Sequence, residues 1–256
     1  MPMEILIYAI IFIIGTFFGS FFTLAVYRIP KKEDILIKHS YCPNCNHKLG
    51  FFDLFPVLSY VFLQGKCRYC GNKIRARYLI LEILSGLTFL SLAIAAKLNV
   101  LDTNSIINVA FLLIYVSVLF IIAGIDKENI KIEKSVLVFG FVTQVLYIIY
   151  QYTLGNFNVY QYVIYAILFM ILMLVSNISI KNYGREPYIT QNLYLFSYML
   201  VGCGWEICAF TVALTLLMFL GYKVITKKEQ IPMGFNLCIS NILIILISNI
   251  ITNYIV

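Results

Sequence analysis

Residues 5–26 carry no charged side chain, and comparable apolar runs recur to the C-terminus. As a helix the first run would be about 33 Å long at 1.5 Å per residue, against a bilayer hydrocarbon core of about 30 Å. Further runs cover 79–96, 106–125, 135–152, 160–175, 188–222 and 233–255. Only 12% of the chain is charged and its mean hydropathy is +0.90, which excludes an ordinary soluble domain. The first run lacks a basic leading region, carrying Glu4 instead, and exceeds the core of a secretion signal, so a retained span is expected.

Cations fix the expected topology. The net charge of +7 could suggest nucleic acid, but in a chain of spans Lys and Arg mainly set orientation, so no nucleic-acid partner is expected. If the stretch after the first span faces the cytoplasm, every Lys and Arg except Lys97 does so too. Arg185 and Lys223 must then share a side. The chain therefore crosses twice between them, turning outside at Gly202-Cys203-Gly204-Trp205-Glu206. The expected fold is an all-α polytopic membrane protein of about eight transmembrane helices with a small cytoplasmic tetra-cysteine zinc-ribbon-like loop. Its parts would be residues 1–27 (first helix), 28–78 (metal-binding loop) and 79–256 (membrane helical domain), in contact with membrane lipid.

That loop carries Cys42-Pro43-Asn44-Cys45, then twenty-one residues, then Cys67-Arg68-Tyr69-Cys70. Two C-x-x-C pairs read as two knuckles around one metal; the separation is just longer than usual. Reducing cytoplasm disfavours disulfides, and four soft thiolates suit a closed structural zinc site. His47 could replace one thiol, but four already complete the shell, so His39 and His47 are expected to be solvated. Cys203, Cys208 and Cys238 lie in or beside apolar runs and are expected to be small buried hydrophobes.

The surrounding residues resemble the N-terminal region of type IV prepilin peptidases, bacterial membrane enzymes that remove the leader of prepilins and often N-methylate the new N-terminus. The likeness begins at Gly19-Ser20-Phe21 and Tyr27-Arg28-Ile29-Pro30, where Thr23 stands in place of the family's usual Asn. It continues through the first cysteine pair, Pro56-Val57-Leu58-Ser59-Tyr60, Gly65-Lys66 and the second pair, to Arg77-Tyr78 and Glu82. Near the C-terminus, Ile231-Pro232-Met233-Gly234-Phe235 looks like the family's Ile-Pro-Phe-Gly-Pro segment.

The resemblance implies aspartic-protease chemistry, in which two carboxylates share one proton and activate a water. It places the first aspartate at Asp126, in Gly124-Ile125-Asp126-Lys127 at a helix end, where an acid is costly to place without a reason. Aligned from Gly184-Arg185-Glu186, the family's Gly-x-Gly-Asp-x-Lys motif falls on Ile189-Thr190-Gln191-Asn192-Leu193-Tyr194. Asn192 thus replaces the second aspartate and Tyr194 the lysine. An amide has no proton to share at neutral pH. Glu186 is the candidate substitute acid. Glu82, a turn inside the second span, could line the cavity or pair with Arg75 or Arg77.

Two functions follow. The chain resembles an endopeptidase that cuts prepilin or pseudopilin leaders at the cytoplasmic face of the bacterial inner membrane. Alternatively, it is an impaired member that binds pilin-like proteins or assembly partners without cleaving. S-adenosylmethionine would be needed only if methyltransferase activity is retained, and no glycine-rich cofactor loop is visible.

Overall fold

The computed structural model describes residues 2–35, 39–156, 159–183, 187–226 and 231–255. The helices are α1 (Pro2–Arg28), α2 (Leu58–Phe62), α3 (Arg77–Ala95), α4 (Thr103–Asn129), α5 (Lys134–Thr153), α6 (Val159–Tyr183), α7 (Tyr188–Thr226) and α8 (Met233–Ile250). Seven described helices are long and apolar enough to cross a membrane; the short α2 is the exception. The chain divides into two units, Met1–Val100 and Leu101–Val256.

In the first unit α1 packs along α3 through small residues. A side chain at Gly15 would lie 2.8 Å from the Gly86 Cα, and one at Gly19 would lie 2.7 Å from the Glu82 Cα. Ser85 fits the same seam and donates its hydroxyl to the Gly15 carbonyl at 2.7 Å. Lipid tails are as apolar as leucine, so membrane helices associate by close backbone approach of this kind and not by hydrophobic burial. Beyond α1, buried Arg28 donates to the carbonyls of Asp34 and His39, anchoring the start of the cysteine region.

In the second unit α4 supplies the core. Val116, Leu119, Ile122 and Ile125 are all fully buried and recur every third residue along one face. Asp102 caps its N-terminus, accepting from the Asn104 and Ser105 backbone at 3.0 and 3.3 Å. The helix runs past the predicted end at residue 125, so Asp126 occupies its last turn. Ile130 stops it in the left-handed region (φ 50°), its N–H bonding the Asp126 carbonyl.

The predicted pair of spans at 188–222 is one helical run, α7, reversed in the middle. A straight helix of 39 residues would be about 58 Å long, twice the hydrocarbon thickness. Gly204 breaks it with φ 82° and ψ 171°, a conformation essentially reserved for glycine. Cys203 and Thr211 both reach the side chain of Asn241 on α8, at 3.7 and 3.1 Å. On a straight helix their levels would differ by about 12 Å, so the chain must fold back at Gly204. Among the described residues the membrane-length helices therefore number seven where about eight spans are expected, and α7 supplies two limbs.

Candidate functional site

The cysteine cluster is built from two near-identical knuckles. Tyr41 pairs with Lys48 and Lys66 with Lys73 as isolated antiparallel bridges. In the first knuckle the Cys42 N–H bonds the His47 carbonyl and the Asn46 N–H bonds Cys42. In the second, Cys67 bonds Asn72 and Gly71 bonds Cys67. Asn46 and Gly71 take the left-handed conformation that closes each turn. Asp53 ties the second knuckle down, pairing with Arg68 at 2.7 Å and accepting from the Tyr69 hydroxyl at 3.1 Å. His47 stacks on Tyr69 with ring centroids 3.6 Å apart, so it joins the knuckles through its face.

The four sulfur atoms of Cys42, Cys45, Cys67 and Cys70 all lie within 4.8 Å of one another. A tetrahedral zinc with bonds of about 2.3 Å needs sulfur separations of about 3.8 Å. Cys42 and Cys70 are 3.9 Å apart, so the cluster fits such an ion. The surroundings favour thiolates unevenly. The Asn72 backbone N–H, then the Asn44 amide, hold Cys70 down to about 6. The Cys45 backbone N–H lowers Cys42. Cys45 is pulled down by the His47 N–H, but lost hydration and the facing Cys70 and Cys42 outweigh it, pushing it up to about 11. Four thiolates this close cannot all ionise by themselves; a bound cation removes that conflict.

In the second unit Asp126 is fully buried. Its carboxylate accepts from the Tyr188 hydroxyl at 2.7 and 2.8 Å and from the Phe235 backbone N–H at 2.8 Å. The same hydroxyl accepts from the Met233 and Gly234 N–H groups at 2.9 and 3.2 Å. These are the first backbone donors of α8, whose N-cap, Pro232, offers no side-chain bond. Asp126 and Tyr188 together therefore cap α8 from outside, with the carboxylate at the positive end of its dipole. Gly234 permits the approach: a Cβ there would meet the Asp126 Oδ2 at 3.0 Å and the Ile132 Cδ1 at 3.2 Å. Gln191 holds the preceding loop, accepting from the Ile132 N–H at 3.0 Å, and Lys127 covers the Phe235 ring at 4.7 Å.

Asn192 is buried one turn beyond Tyr188 and donates to the Tyr188 carbonyl at 2.9 Å. Its Oδ1 and the Nδ2 of buried Asn236 have no hydrogen-bond partner among the described residues. The hydrogen bonds of Asp126 thus run to Tyr188 and α8, and none runs to Asn192. Tyr194, at the lysine position, instead donates to the Met173 sulfur on α6 at 3.3 Å. Glu128 is exposed and Glu133 pairs with Lys131 at 2.8 Å. Glu186 lies outside the described residues. Glu82 accepts from the Val57 N–H at 2.7 Å. Tyr188 was not legible as a site residue: its hydroxyl meets Asp126 only because α4, α7 and α8 converge, and no local pattern marks it.

Residues 13–96 match the bacterial peptidase A24 N-terminal domain. The prepilin leader peptidase/N-methyltransferase of Myxococcus xanthus is 38% identical over 79 residues, covering 31% of this chain and 24% of that protein. The Vibrio cholerae protein of the same name is 40% identical over 86 residues, covering 30% and 34%. That of Bacillus subtilis is 30% identical over 131 residues, covering 51% and 50%. The chain spans from about a quarter to half the length of these relatives. No solved structure matches it. Asp126 and Asn192 lie beyond the matched domain, whereas all four cysteines lie within it. Over residues 13–96 the chain is thus similar to the bacterial peptidase A24 N-terminal domain, and over at most about half its length to prepilin leader peptidase/N-methyltransferases.

Proposed function

We propose that this chain binds prepilin-like proteins at the bacterial inner membrane, its cysteine knuckles in the cytoplasm, with a peptidase site that has lost one of two carboxylates. One observation carries the reading: the hydrogen-bond partners of buried Asp126 are a tyrosine hydroxyl and helix N–H groups, with no second acid among the described residues. A two-carboxylate site works because one proton is shared between like charges, leaving one base to activate water and one acid to protonate the amide. A phenol, ordinarily titrating near pH 10, supplies a donor but no such base. The unpaired Asn192 Oδ1 and Asn236 Nδ2 offer one acceptor and one donor, the pair a peptide group requires.

The metal reading is part of this proposal. Cys42, Cys45, Cys67 and Cys70 would hold zinc in a structural, fully thiolate shell with no open position for chemistry. S-adenosylmethionine enters only if the chain also methylates, as the names of its relatives imply for those proteins.

A second reading is favoured by the naming of those relatives as peptidases and by the buried Asp126. In it the chain is an active aspartic endopeptidase, with Glu186 replacing the missing acid. Co-expression with a prepilin separates the two. The first reading expects the precursor to co-purify uncut. Leader removal by the parent protein, abolished by Asp126→Ala, would overturn it and establish the second.

A further inference from the structure

We infer that residues 51–62 form a wedge inserted into the hydrocarbon of the bilayer beside α1 and α3, with lipid chains covering its exposed aromatic side chains. Phe51, Phe52 and Phe62 are 71%, 76% and 80% exposed, and Val61 and Leu58 are exposed beside them. In water this would be a costly apolar patch with no function. No charged residue occurs from 54 to 65, and Asp53, at the start, is neutralised by Arg68.

The wedge's attachments fix its depth. Its turn is bonded to Glu82, five residues into α3 from Arg77, hence about 7–8 Å inward along the helix. The Phe55 ring packs edge-on against Phe17, with centroids 5.2 Å apart. Phe17 lies eleven residues before Arg28, the end of α1, or about 16 Å along it. Both contacts fall on the stretch where α1 and α3 pack by their small residues, well inside the basic ends of these two membrane helices.

Part of the backbone pairs internally, as hydrocarbon favours. The chain reverses in a three-residue turn in which the Leu58 N–H bonds the Pro56 carbonyl at 2.6 Å, and Pro56 has no N–H to satisfy. Val57, at the turn's centre, is β-branched yet holds φ 62°, a strained conformation. Its N–H would be orphaned there, and the Glu82 carboxylate takes it at 2.7 Å. Leu54, Ser59 and Val61 each bond a carbonyl within the same segment, while at its edges Asp53 bonds the Gly50 carbonyl and Leu63 the Ser59 carbonyl. Glu82, an acid that is costly inside a span, thereby acquires a role as the acceptor that holds the re-entrant turn in place.

Trp205 is the only tryptophan, so a Trp205→Phe background makes fluorescence site-specific. Phe52→Trp, Phe62→Trp and, as a water-side control, Lys48→Trp would each be introduced into the full chain. The proteins are reconstituted in phosphatidylcholine/phosphatidylglycerol bilayers containing lipids brominated on the upper acyl chain. The tryptophans of F52W and F62W should emit to the blue of the control, lose most of their intensity to bromolipid and resist acrylamide. The control should behave oppositely. Either position suffices if the other variant fails to fold, as judged by elution as a single species. Acrylamide quenching equal to the control would put the segment in water and overturn the inference. Protection from both quenchers would overturn it too, by placing a second copy or another part of the chain over the wedge.

Discussion

Tyr188→Phe should destabilise the helical unit by removing one oxygen that serves three groups. The hydroxyl donates to the Asp126 carboxylate at 2.7 and 2.8 Å and accepts from the Met233 and Gly234 N–H groups. A hydrogen bond to a charged group contributes about 1.5–3 kcal/mol, and a buried donor left unpaired costs about 1–3. Met233 is more than one-third exposed, so water can replace its partner, whereas Gly234 is buried. The expected loss is therefore about 3–6 kcal/mol. At roughly 2–4 °C per kcal/mol for a unit of this size, the melting temperature should fall on the order of 10 °C. The fully buried thiols of Cys208 and Cys238 provide the assay, because a thiol-reactive fluorogenic dye in detergent reports their exposure on heating. Tyr194→Phe, which loses only a contact to the Met173 sulfur, is the matched control. A Tyr188→Phe protein melting with that control would refute the external cap and, with it, the account of why Asp126 is buried.

Three further outcomes follow from the geometry. Gly204→Ala puts a Cβ at φ 82°, ψ 171° and should cost about 1–3 kcal/mol in the same assay; an unchanged melting temperature would argue against a reversal there. Gly19→Val drives methyl groups into the α3 backbone, 2.7 Å from where its Cβ would sit. It should cost about 1–3 kcal/mol or more and make residues 28–78 more sensitive to protease; parental resistance would contradict the close packing of α1 on α3. Cys67→Ser should abolish zinc measured by elemental analysis of the purified protein, while Cys203→Ser leaves it intact, since the cluster comprises only the four paired cysteines. Zinc retained in Cys67→Ser would exclude the tetrathiolate site.

Much of this protein is decided locally. Uncharged runs of bilayer length force helices because hydrocarbon offers the backbone no other partner. Two C-x-x-C turns bring their own sulfurs together within a few residues, and so the cysteine cluster could be read from spacing alone. Residues 13–96 also carried the family likeness, because their chemistry sits in consecutive residues. Even there the reading missed one relation: Glu82 and Val57 are twenty-five residues apart and meet only when α3 packs on α1. Charge placement led to the expectation of two spans within 188–222; that the stretch is a single helical run reversed at Gly204 needed the backbone angles.

The site around Asp126 marks the opposite limit. The sequence singled out Asp126 by its unfavourable position and Asn192 by its place in a motif, and it paired the two. Their relation depends on how three helices far apart in the chain converge, which no periodicity encodes. Tyr188 lies 62 residues from the carboxylate it touches, and the Phe235 N–H lies 109 residues away. Long-range contacts of this kind are fixed by the packing of whole helices. The tertiary structure therefore decided that Asp126 faces a tyrosine and a helix N-terminus, with no second acid bonded to it among the described residues.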